Sequence, residues 1–417
     1  MQPDTDTAQE TPWKRTVFIL AFNQIAATAG FSSIFPFLPL YVEELGSVSG
    51  LSVELLAGLV FSGQAFSMMF ASPIWGNLAD RFGRKLMIQR AAFSATILLL
   101  LMAFVRSAEE LVLLRTIQGL VTGTLAANNA LAAAVTPRKH SGYAMGILQM
   151  SMGVGIAIGP LLGGAIADAY GYSSAFYATS ALLLLGGIVV TIWIKEPPRE
   201  KSTPENKRAS FFQEWQHIFK TSGVSITFLL RFLTQAGRMM VIAILAFFAR
   251  ELISNEATLN STVGLMQGIT SGAATLSAVY LGKLGDRIGH KKILVGSTLA
   301  SFLIYIPQML VTAVWQLMVL QALAGVALGG VIPSLAALLA NFTDEGHEGA
   351  VFGLDNSINA AGRAVAPLAG GLIGGLLGYR ATFATTGLVF LLSAVVAFLW
   401  LPNIRPEKPE EQSVTQS

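Results

Sequence analysis

The sequence predicts an all-α membrane protein with twelve transmembrane helices in two pseudo-symmetric bundles of six. The chain of 417 residues is 53% hydrophobic and only 12% charged, whereas soluble domains carry about 25% charged residues, so most of its surface must face lipid. Apolar runs of about 20 residues, the length that crosses a bilayer, recur twelve times along the chain. The first six and the last six of these runs carry related motifs in the same order, which predicts two related halves.

Most connections between the apolar runs are short, with one exception. The segment 195–222, KEPPREKSTPENKRASFFQEWQHIFKTS, is rich in proline and charge and predicts a linker, whose part FFQEWQHIF has the pattern of a short surface helix. It separates an N-terminal bundle (1–194) from a C-terminal bundle (223–401), which is followed by a polar tail (402–417). The predicted spans, numbered 1 to 12, are 16–41, 53–75, 86–105, 110–134, 143–168, 173–194, 224–249, 262–282, 291–312, 315–341, 350–376 and 380–401.

The basic residues lie mostly on one side of these spans. Twenty of the 27 Lys and Arg residues fall in segments that share a side with the N-terminus, three fall on the other side, and four lie within spans. Because basic loops stay on the cytoplasmic side, this asymmetry predicts that both termini are cytoplasmic. The basic residues follow the topology and form no compact patch, so no nucleic-acid partner is expected. The first twelve residues lack the features of a cleaved signal peptide, and the chain has no cysteine that could form a disulfide.

One charged phrase occurs twice, 206 residues apart, as GNLADRFGRK from position 76 and GKLGDRIGHK from position 282. The same offset relates Arg115 in span 4 to Gln321 in span 10. GPLLGG in span 5 aligns with APLAGG in span 11, GYSSAF aligns with GYRATF, and FLPLYVEEL is loosely similar to ILAFFAREL. An even number of crossings separates the copies, so the halves are predicted to be parallel repeats related by an axis along the membrane normal.

These motifs resemble those of the major facilitator superfamily over almost the whole chain. The phrase G-x-L-x-D-R-x-G-R-K between spans 2 and 3 and its weaker copy between spans 8 and 9 carry the resemblance. GVGIAIGPLLGG in span 5 is similar to the signature of the drug:proton antiporter branch, and LLRTIQGLVTG in span 4 is similar to the Arg-containing motif of that branch. PFLPLYVEELG together with GKLGDRIG looks most similar to the MdtG-like bacterial multidrug exporters.

The resemblance implies proton-coupled export of small molecules across the bacterial inner membrane by alternating access. The expected partners are a small-molecule substrate, protons and the lipid bilayer, and a monomer is expected. No catalytic or metal-ligand spacing is found in the sequence, so no enzyme activity, cofactor or metal is expected. Two alternatives stay open. One is a symporter or uniporter for a metabolite, which could be anionic given Arg115, Arg238 and Arg363, and the other is a lipid-translocating relative.

The repeated phrase predicts a conformational latch between the halves. A carboxylate at the membrane surface can lie against a neighbouring helix N-terminus, where free N–H groups favour negative charge. The resemblance implies that the first loop meets the start of span 11 and stabilises the outward-facing state, and that the second acts likewise against span 5. His290 stands in the second copy where Arg84 stands in the first, which predicts a weaker latch there. The candidate latch residues are Asp80, Arg81, Arg84, Asp286 and Arg287. A simpler interpretation is that both loops only determine topology.

The glycines of span 5 recur at steps of three and four residues, a spacing that allows two helices to approach closely. Pro160 removes a backbone donor and is expected to bend the span. The resemblance implies that this stretch is a hinge and a tight seal between the halves, and the alternative is ordinary helix packing. The candidate seal residues are Gly155, Gly159, Pro160, Gly163 and Gly164.

Ionisable side chains inside a span are costly in lipid and are therefore expected to face a cavity or a partner. In span 4, Arg115 shares a helical face with Gln118 and Asn129, which predicts an inward-pointing polar stripe. The resemblance makes Arg115 a cavity residue that assists proton coupling, and the alternative is a structural hydrogen bond to span 1 or span 2. The other candidate cavity residues are Asn23, Gln24, Phe31, Gln235, Arg238 and Gln321.

Asp355 is the one carboxylate that lies clearly within a predicted span, where it shares a face with Asn359 and Arg363. Desolvation favours the protonated form of a carboxylate, so Asp355 is a candidate proton carrier. Its position near the predicted cytoplasmic end of span 11 suits a partner of the latch equally well, and both roles stay open. Asp168 and Glu54, near the opposite surface, are the other candidate carriers.

Overall fold

The computed structural model describes residues 10–137, 140–194, 222–343 and 348–402, and all regular secondary structure in these ranges is helical. The helices of the N-terminal half are Glu10–Ser33 with Leu38–Leu45 (span 1), Val53–Phe82 (span 2), Arg84–Met102 (span 3), Ala108–Val121 with Thr124–Val135 (span 4), Ser141–Tyr170 (span 5) and Tyr172–Trp193 (span 6). The helices of the C-terminal half are Ser222–Met240 with Leu245–Leu252 (span 7), Leu259–Ile288 (span 8), His290–Gln308 (span 9), Val314–Gly329 with Val331–Phe342 (span 10), Glu348–Leu377 (span 11) and Tyr379–Trp400 (span 12).

Nine helical stretches in the described ranges are long and apolar enough to cross a membrane by length and composition. They belong to spans 1, 2, 3, 5, 6, 7, 10, 11 and 12. The three remaining crossings pack within their own bundles, span 4 against span 2, span 8 against span 10 and span 9 against span 12. The prediction of an all-α membrane protein with two six-helix bundles is therefore confirmed. Apart from Ser222 and Pro402, the predicted linker and tail lie outside the described residues, and the predicted domain boundaries stay predictions.

Spans 1, 4, 7 and 10 are each built from two helices, whereas the other eight are continuous. In span 4 the break falls at Thr122 and Gly123, and Gly123 has a φ of 144°, a left-handed conformation that side chains with a Cβ rarely adopt. Spans 1 and 7 both end in a short helix after the break, Leu38–Leu45 and Leu245–Leu252. These short helices correspond to the loosely similar segments of the sequence, so the repeat extends to the shape of the broken spans.

The two halves pack together along two helix pairs, span 5 with span 8 and span 2 with span 11. Glycines allow the close approach. A Cβ on Gly264 would overlap the carbonyl oxygen of Pro160, and a Cβ on Gly58 would lie 2.7 Å from the carbonyl oxygen of Pro367. Gly58 and Gly264 stand 206 residues apart, so the repeat in the sequence corresponds to two symmetric helix crossings.

Hydrogen bonds join the halves at the end opposite the repeated phrases, and we call this end the sealed end. Glu43 pairs with Arg250 at 2.7 Å, Asp168 accepts from the start of span 8, and Tyr379 donates to Glu54 at 3.2 Å. The end that carries the phrases at positions 76 and 282 is called the loop end. Toward the loop end, the glycines at 142, 146 and 353 have open space where a Cβ would stand. Among the described residues, the hydrogen bonds between the halves lie on the side of the sealed end.

Candidate functional site

Arg115 is fully buried in span 4. Its Nη1 donates to Oε1 of Gln118 at 2.8 Å, and its guanidinium carbon lies 5.8 Å from the ring centroid of Phe31. Its Nε and Nη2 are buried and have no hydrogen-bond partner among the described residues. An unsatisfied buried donor on a charged group costs more than the usual 1–3 kcal/mol or so, so Arg115 is a charge that requires an acceptor.

A second arginine approaches the same ring from the other half. The guanidinium carbon of Arg363 in span 11 lies 6.0 Å from the Phe31 centroid, so Phe31 separates cations that belong to different halves. Arg238 in span 7 is within electrostatic range of Arg363, Arg231 and Tyr305. We call the group of Arg115, Arg231, Arg238 and Arg363 the central cluster.

One carboxylate joins this cluster. The Oδ1 of Asp355 lies 2.8 Å from the Nε of Arg231, and the two side chains are only 9% and 11% exposed. Both residues belong to the C-terminal half, so the pair holds span 11 against span 7. Sequence reasoning placed Asp355 on the polar face of span 11 but did not identify Arg231 as its partner. Among the described residues, Asp355 pairs with Arg231, and the other three arginines of the central cluster have no carboxylate partner.

The predicted stripe of span 4 requires a correction. Asn129 is exposed, whereas its neighbour Asn128 is fully buried. Asn23 donates to Asn128 at 3.1 Å, and Asn128 donates to Gln24 at 2.7 Å. The prediction assumed one continuous helix, and the break at Gly123 shifts the helical register by one residue. The structure also buries Asn23 and Gln24 beside Asn128, and their part in a substrate cavity stays a prediction.

The three glutamines among the candidate cavity residues, Gln118, Gln235 and Gln321, are buried in contacts between helices. Gln64 donates to Gln118 at 3.5 Å. In the other half, Thr270 donates to the side chain of Gln321 at 3.2 Å. Gln64 and Thr270 stand 206 residues apart, so spans 2 and 4 contact each other in the same way as spans 8 and 10. Gln235 packs beside Gly362, and a Cβ added to Gly362 would lie 3.1 Å from the Cβ of Gln235.

The Gly-Pro stretch of span 5 packs against two different neighbours. Three of its glycines face span 1 between Thr28 and Ser33, where a Cβ would overlap hydroxyl or backbone atoms, and these are Gly155, Gly159 and Gly163. Gly164 faces the other half, against the backbone carbonyl of Asn260 in span 8. Pro160 lies within a continuous helix. Of the five predicted seal residues, Pro160 and Gly164 therefore contact the other half, and both the seal and the hinge stay predictions.

The predicted latch residues lie at the loop end. Arg81 and Arg287 are exposed, and Nη1 of Arg84 donates to the carbonyl of Ala130 at 2.7 Å within its own half. Asp286 is exposed, and its Oδ1 lies 3.1 Å from Nε2 of His290. The side chain of Asp80 lies outside the described part of the structure. Contact of Asp80 and Asp286 with the opposite half stays a prediction.

Two related six-helix halves, with glycine-mediated crossings and a buried cationic cluster where they meet, define a multi-pass membrane transporter for small molecules. The sequence profile of the Major Facilitator Superfamily matches residues 20–248 and again residues 227–416. The chain belongs to the major facilitator superfamily, which confirms the resemblance of the motifs. The family consists of transporters, so an enzyme is not indicated.

Two relatives and one solved structure show how far the similarity extends. The multidrug resistance protein MdtG of Serratia proteamaculans is 36% identical over 406 residues, which covers 97% of this chain and 98% of the relative. MdtG of Escherichia fergusonii is 35% identical over 400 residues, 95% and 97% of the two chains. A bacterial homologue of the human lysosomal transporter Spinster, in its inward-facing and unoccupied conformation, superposes with a TM-score of 0.79 at 15% identity over 94% of this chain and 97% of that one. That superposition supports the fold alone.

Proposed function

We propose that the protein exports amphipathic small molecules across the bacterial inner membrane in exchange for protons. The observation that carries the proposal is full-length similarity to multidrug resistance proteins, 36% over 97% of the chain. The span 5 signature supports it, because its Gly164 lies directly on the contact between the halves.

Transport proceeds by alternating access, in which the two halves rock about the central cluster. The charge asymmetry of the loops places the loop end and both termini in the cytoplasm. The sealed end then faces outward, and this structure corresponds to the inward-facing state. The opposite state requires a closed loop end, where the Asp80 phrase would hold the halves together. The protein works as a monomer, since each chain contains both halves.

Asp355 is the group that we propose exchanges protons. Its Oδ1 lies 2.8 Å from the Nε of Arg231. Protonation removes the negative charge and leaves Arg231 without its counter-ion, so the cluster gains one positive charge. A change of this kind alters the relative energies of the two states, which is how a proton gradient can drive the cycle.

The central cluster favours substrates that combine an apolar body with an acidic group. Arg115, Arg238 and Arg363 have no carboxylate partner among the described residues, and the face of Phe31 lies beside two of them. A substrate carboxylate or phosphonate would supply the acceptor that these donors lack. A cationic drug would instead be repelled by the same charges.

The test is transport by purified protein in liposomes, with and without an imposed proton gradient, for a panel of acidic, neutral and cationic amphipathic compounds. Gradient-dependent movement of at least one acidic compound is expected. Arg363→Leu should reduce transport of acidic compounds more than of neutral ones, because the apolar contact with Phe31 is kept. Transport that is independent of the proton gradient for every compound would contradict the antiport proposal, and a preference for cations would contradict the substrate class.

A further inference from the structure

A carboxylate of the N-terminal half caps a helix of the C-terminal half. Asp168, near the end of span 5, accepts three hydrogen bonds from the first turn of span 8. Its Oδ1 accepts from the backbone N of Asn260 at 3.1 Å and from Nδ2 of the same residue at 2.8 Å, and its Oδ2 accepts from the backbone N of Ser261 at 2.7 Å. Thr258, the residue that precedes this helix, makes no side-chain capping bond. Two of the backbone N–H groups in the first turn of span 8 are therefore satisfied from the other half of the molecule.

The symmetric crossing has a different arrangement. By the offsets of the repeat, Glu54 corresponds to Asn260 and Gly375 corresponds to Asp168. Glu54 accepts a single bond, from the hydroxyl of Tyr379 at 3.2 Å, and Gly375 lies beside its side chain. Near the sealed end, the carboxylate of the first crossing, Asp168, lies on span 5. The carboxylate of the second crossing, Glu54, lies on span 2, which is the counterpart of span 8 and not of span 5. Only Asp168 meets a helix N-terminus, where the dipole adds to the hydrogen bonds.

The third contact at the sealed end is weaker. The side chains of Glu43 and Arg250 are 38% and 35% exposed, and exposed ion pairs contribute little because water and salt screen them. Compared with Glu43–Arg250 and Glu54–Tyr379, Asp168 makes the most hydrogen bonds between the halves. Its carboxylate must lose all three bonds when span 5 leaves span 8.

We infer that Asp168 is the positioning residue that sets the fraction of time the sealed end stays closed. The charged carboxylate holds span 5 on the N-terminus of span 8, and this favours the state seen here. It acts on the gate, because all three hydrogen bonds that its carboxylate accepts here come from the opposite half. The inference rests on alternating access, as proposed above, but not on the substrate or on the coupling ion.

The test measures distances between spin labels in the full-length protein in lipid nanodiscs, without substrate and at one pH. The chain has no cysteine, so label pairs can be introduced directly. One pair, at Leu51 and Ala257, reports the sealed end, and the other, at Phe82 and Ile288, reports the loop end. Asp168→Asn has the same shape but loses the charge and points an amide toward N–H donors. We expect about a tenfold shift of the population toward an open sealed end and a closed loop end.

Two further variants make the result interpretable. Asn260→Ala removes one of the three donors and should shift the populations in the same direction by a smaller factor. It also carries the test if Asp168→Asn fails to fold. Glu109→Gln is the matched control. Glu109 lies at the sealed end and accepts from the backbone N of Val48 at 3.0 Å and of Ser49 at 2.9 Å, entirely within the N-terminal half. The control therefore removes a carboxylate that also accepts backbone N–H bonds, but only within one half.

Unchanged distances at both ends in a folded Asp168→Asn protein would overturn the inference. An equal shift in Glu109→Gln would also overturn it, because the effect would then follow from any lost carboxylate at this end. Both results are independent of export, since no substrate or gradient is present. Failure of the liposome assay with a clear shift in distances would contradict the proposed function and leave the gate in place.

Discussion

The Arg231–Asp355 pair is the contact whose removal has the most predictable cost. The two side chains lie 2.8 Å apart and are 11% and 9% exposed, so neither charge can be solvated when the other is removed. Loss of one partner of a buried pair costs about 3–5 kcal/mol of folding stability, because an uncompensated charge stays buried. We expect this cost for Asp355→Asn, with a somewhat smaller one for Arg231→Gln, which leaves the carboxylate unpaired.

The double variant separates the pair from its surroundings. Asp355→Asn combined with Arg231→Gln leaves neither charge unpaired, so its cost should be smaller than the sum of the single costs by about 2–3 kcal/mol. The measurement is reversible unfolding of the purified protein in detergent, with all four members of the cycle in the same buffer. Arg363→Gln is the control. Arg363 has no carboxylate partner among the described residues, so its neutralisation should leave stability unchanged or increase it.

The same variants test coupling. If Asp355 exchanges protons, substrate-induced proton release should disappear in Asp355→Asn while substrate binding persists, since an amide cannot titrate. In the unfolding measurements, a double-variant cost within about 0.5 kcal/mol of the sum of the two single-variant costs would show that Arg231 and Asp355 do not interact. Proton release that persists in Asp355→Asn would exclude this residue as the sole carrier, even if the stability cycle behaves as expected.

Three further predictions concern the two ends of the molecule. Gly264→Ala places a Cβ against the carbonyl of Pro160. We therefore expect transport to fall at least about tenfold and the spin-label distances to show an open sealed end. Gly272→Ala is the control, because its Cβ meets open space, and this variant should transport normally. Pro160→Ala should permit proton leak without substrate, measured with a pH-sensitive dye in liposomes, and a leak equal to that of the parent protein would refute the hinge. Asp80→Asn should leave the protein folded, reduce transport and shift the loop-end distances toward the open state, whereas full activity with unchanged distances would contradict the latch.

The sequence predicted the arrangement of the halves because small residues determine where helices can touch. The repeated Gly-Pro stretches lie at symmetric crossings, and Gly58 and Gly264 face the carbonyls of Pro367 and Pro160. A glycine spacing of three or four residues indicates a close contact whatever the partner is. The partner itself, span 8 for span 5 and span 2 for span 11, follows from the fold of the family and not from the glycine spacing.

Polar residues were harder to place, for two physical reasons. A helical face predicted from sequence assumes an unbroken helix, and the turn at Gly123 moved the buried position from Asn129 to Asn128. Periodicity also shows which residues share a face but not which faces meet. Arg231 and Asp355 are 124 residues apart, and their pairing depends on how span 7 packs against span 11.

The two halves keep the same shape at their crossings and differ in charge. When the halves rock about a pseudo-symmetric axis, the helix pairs at both crossings must slide past each other in the same way. Such sliding depends on how closely the backbones approach, and small residues determine that distance. Symmetric charges would give both crossings the same gating behaviour. A transporter driven in one direction requires that its two states respond differently to a proton and to a substrate, so the polar groups must break the symmetry that the glycines maintain. The repeat shows this division. Its small and proline residues match between the halves: Gly58 with Gly264, Pro160 with Pro367 and Gly164 with Gly371. Its polar residues do not match: Glu54 corresponds to Asn260, Asp168 to Gly375 and Arg115 to Gln321.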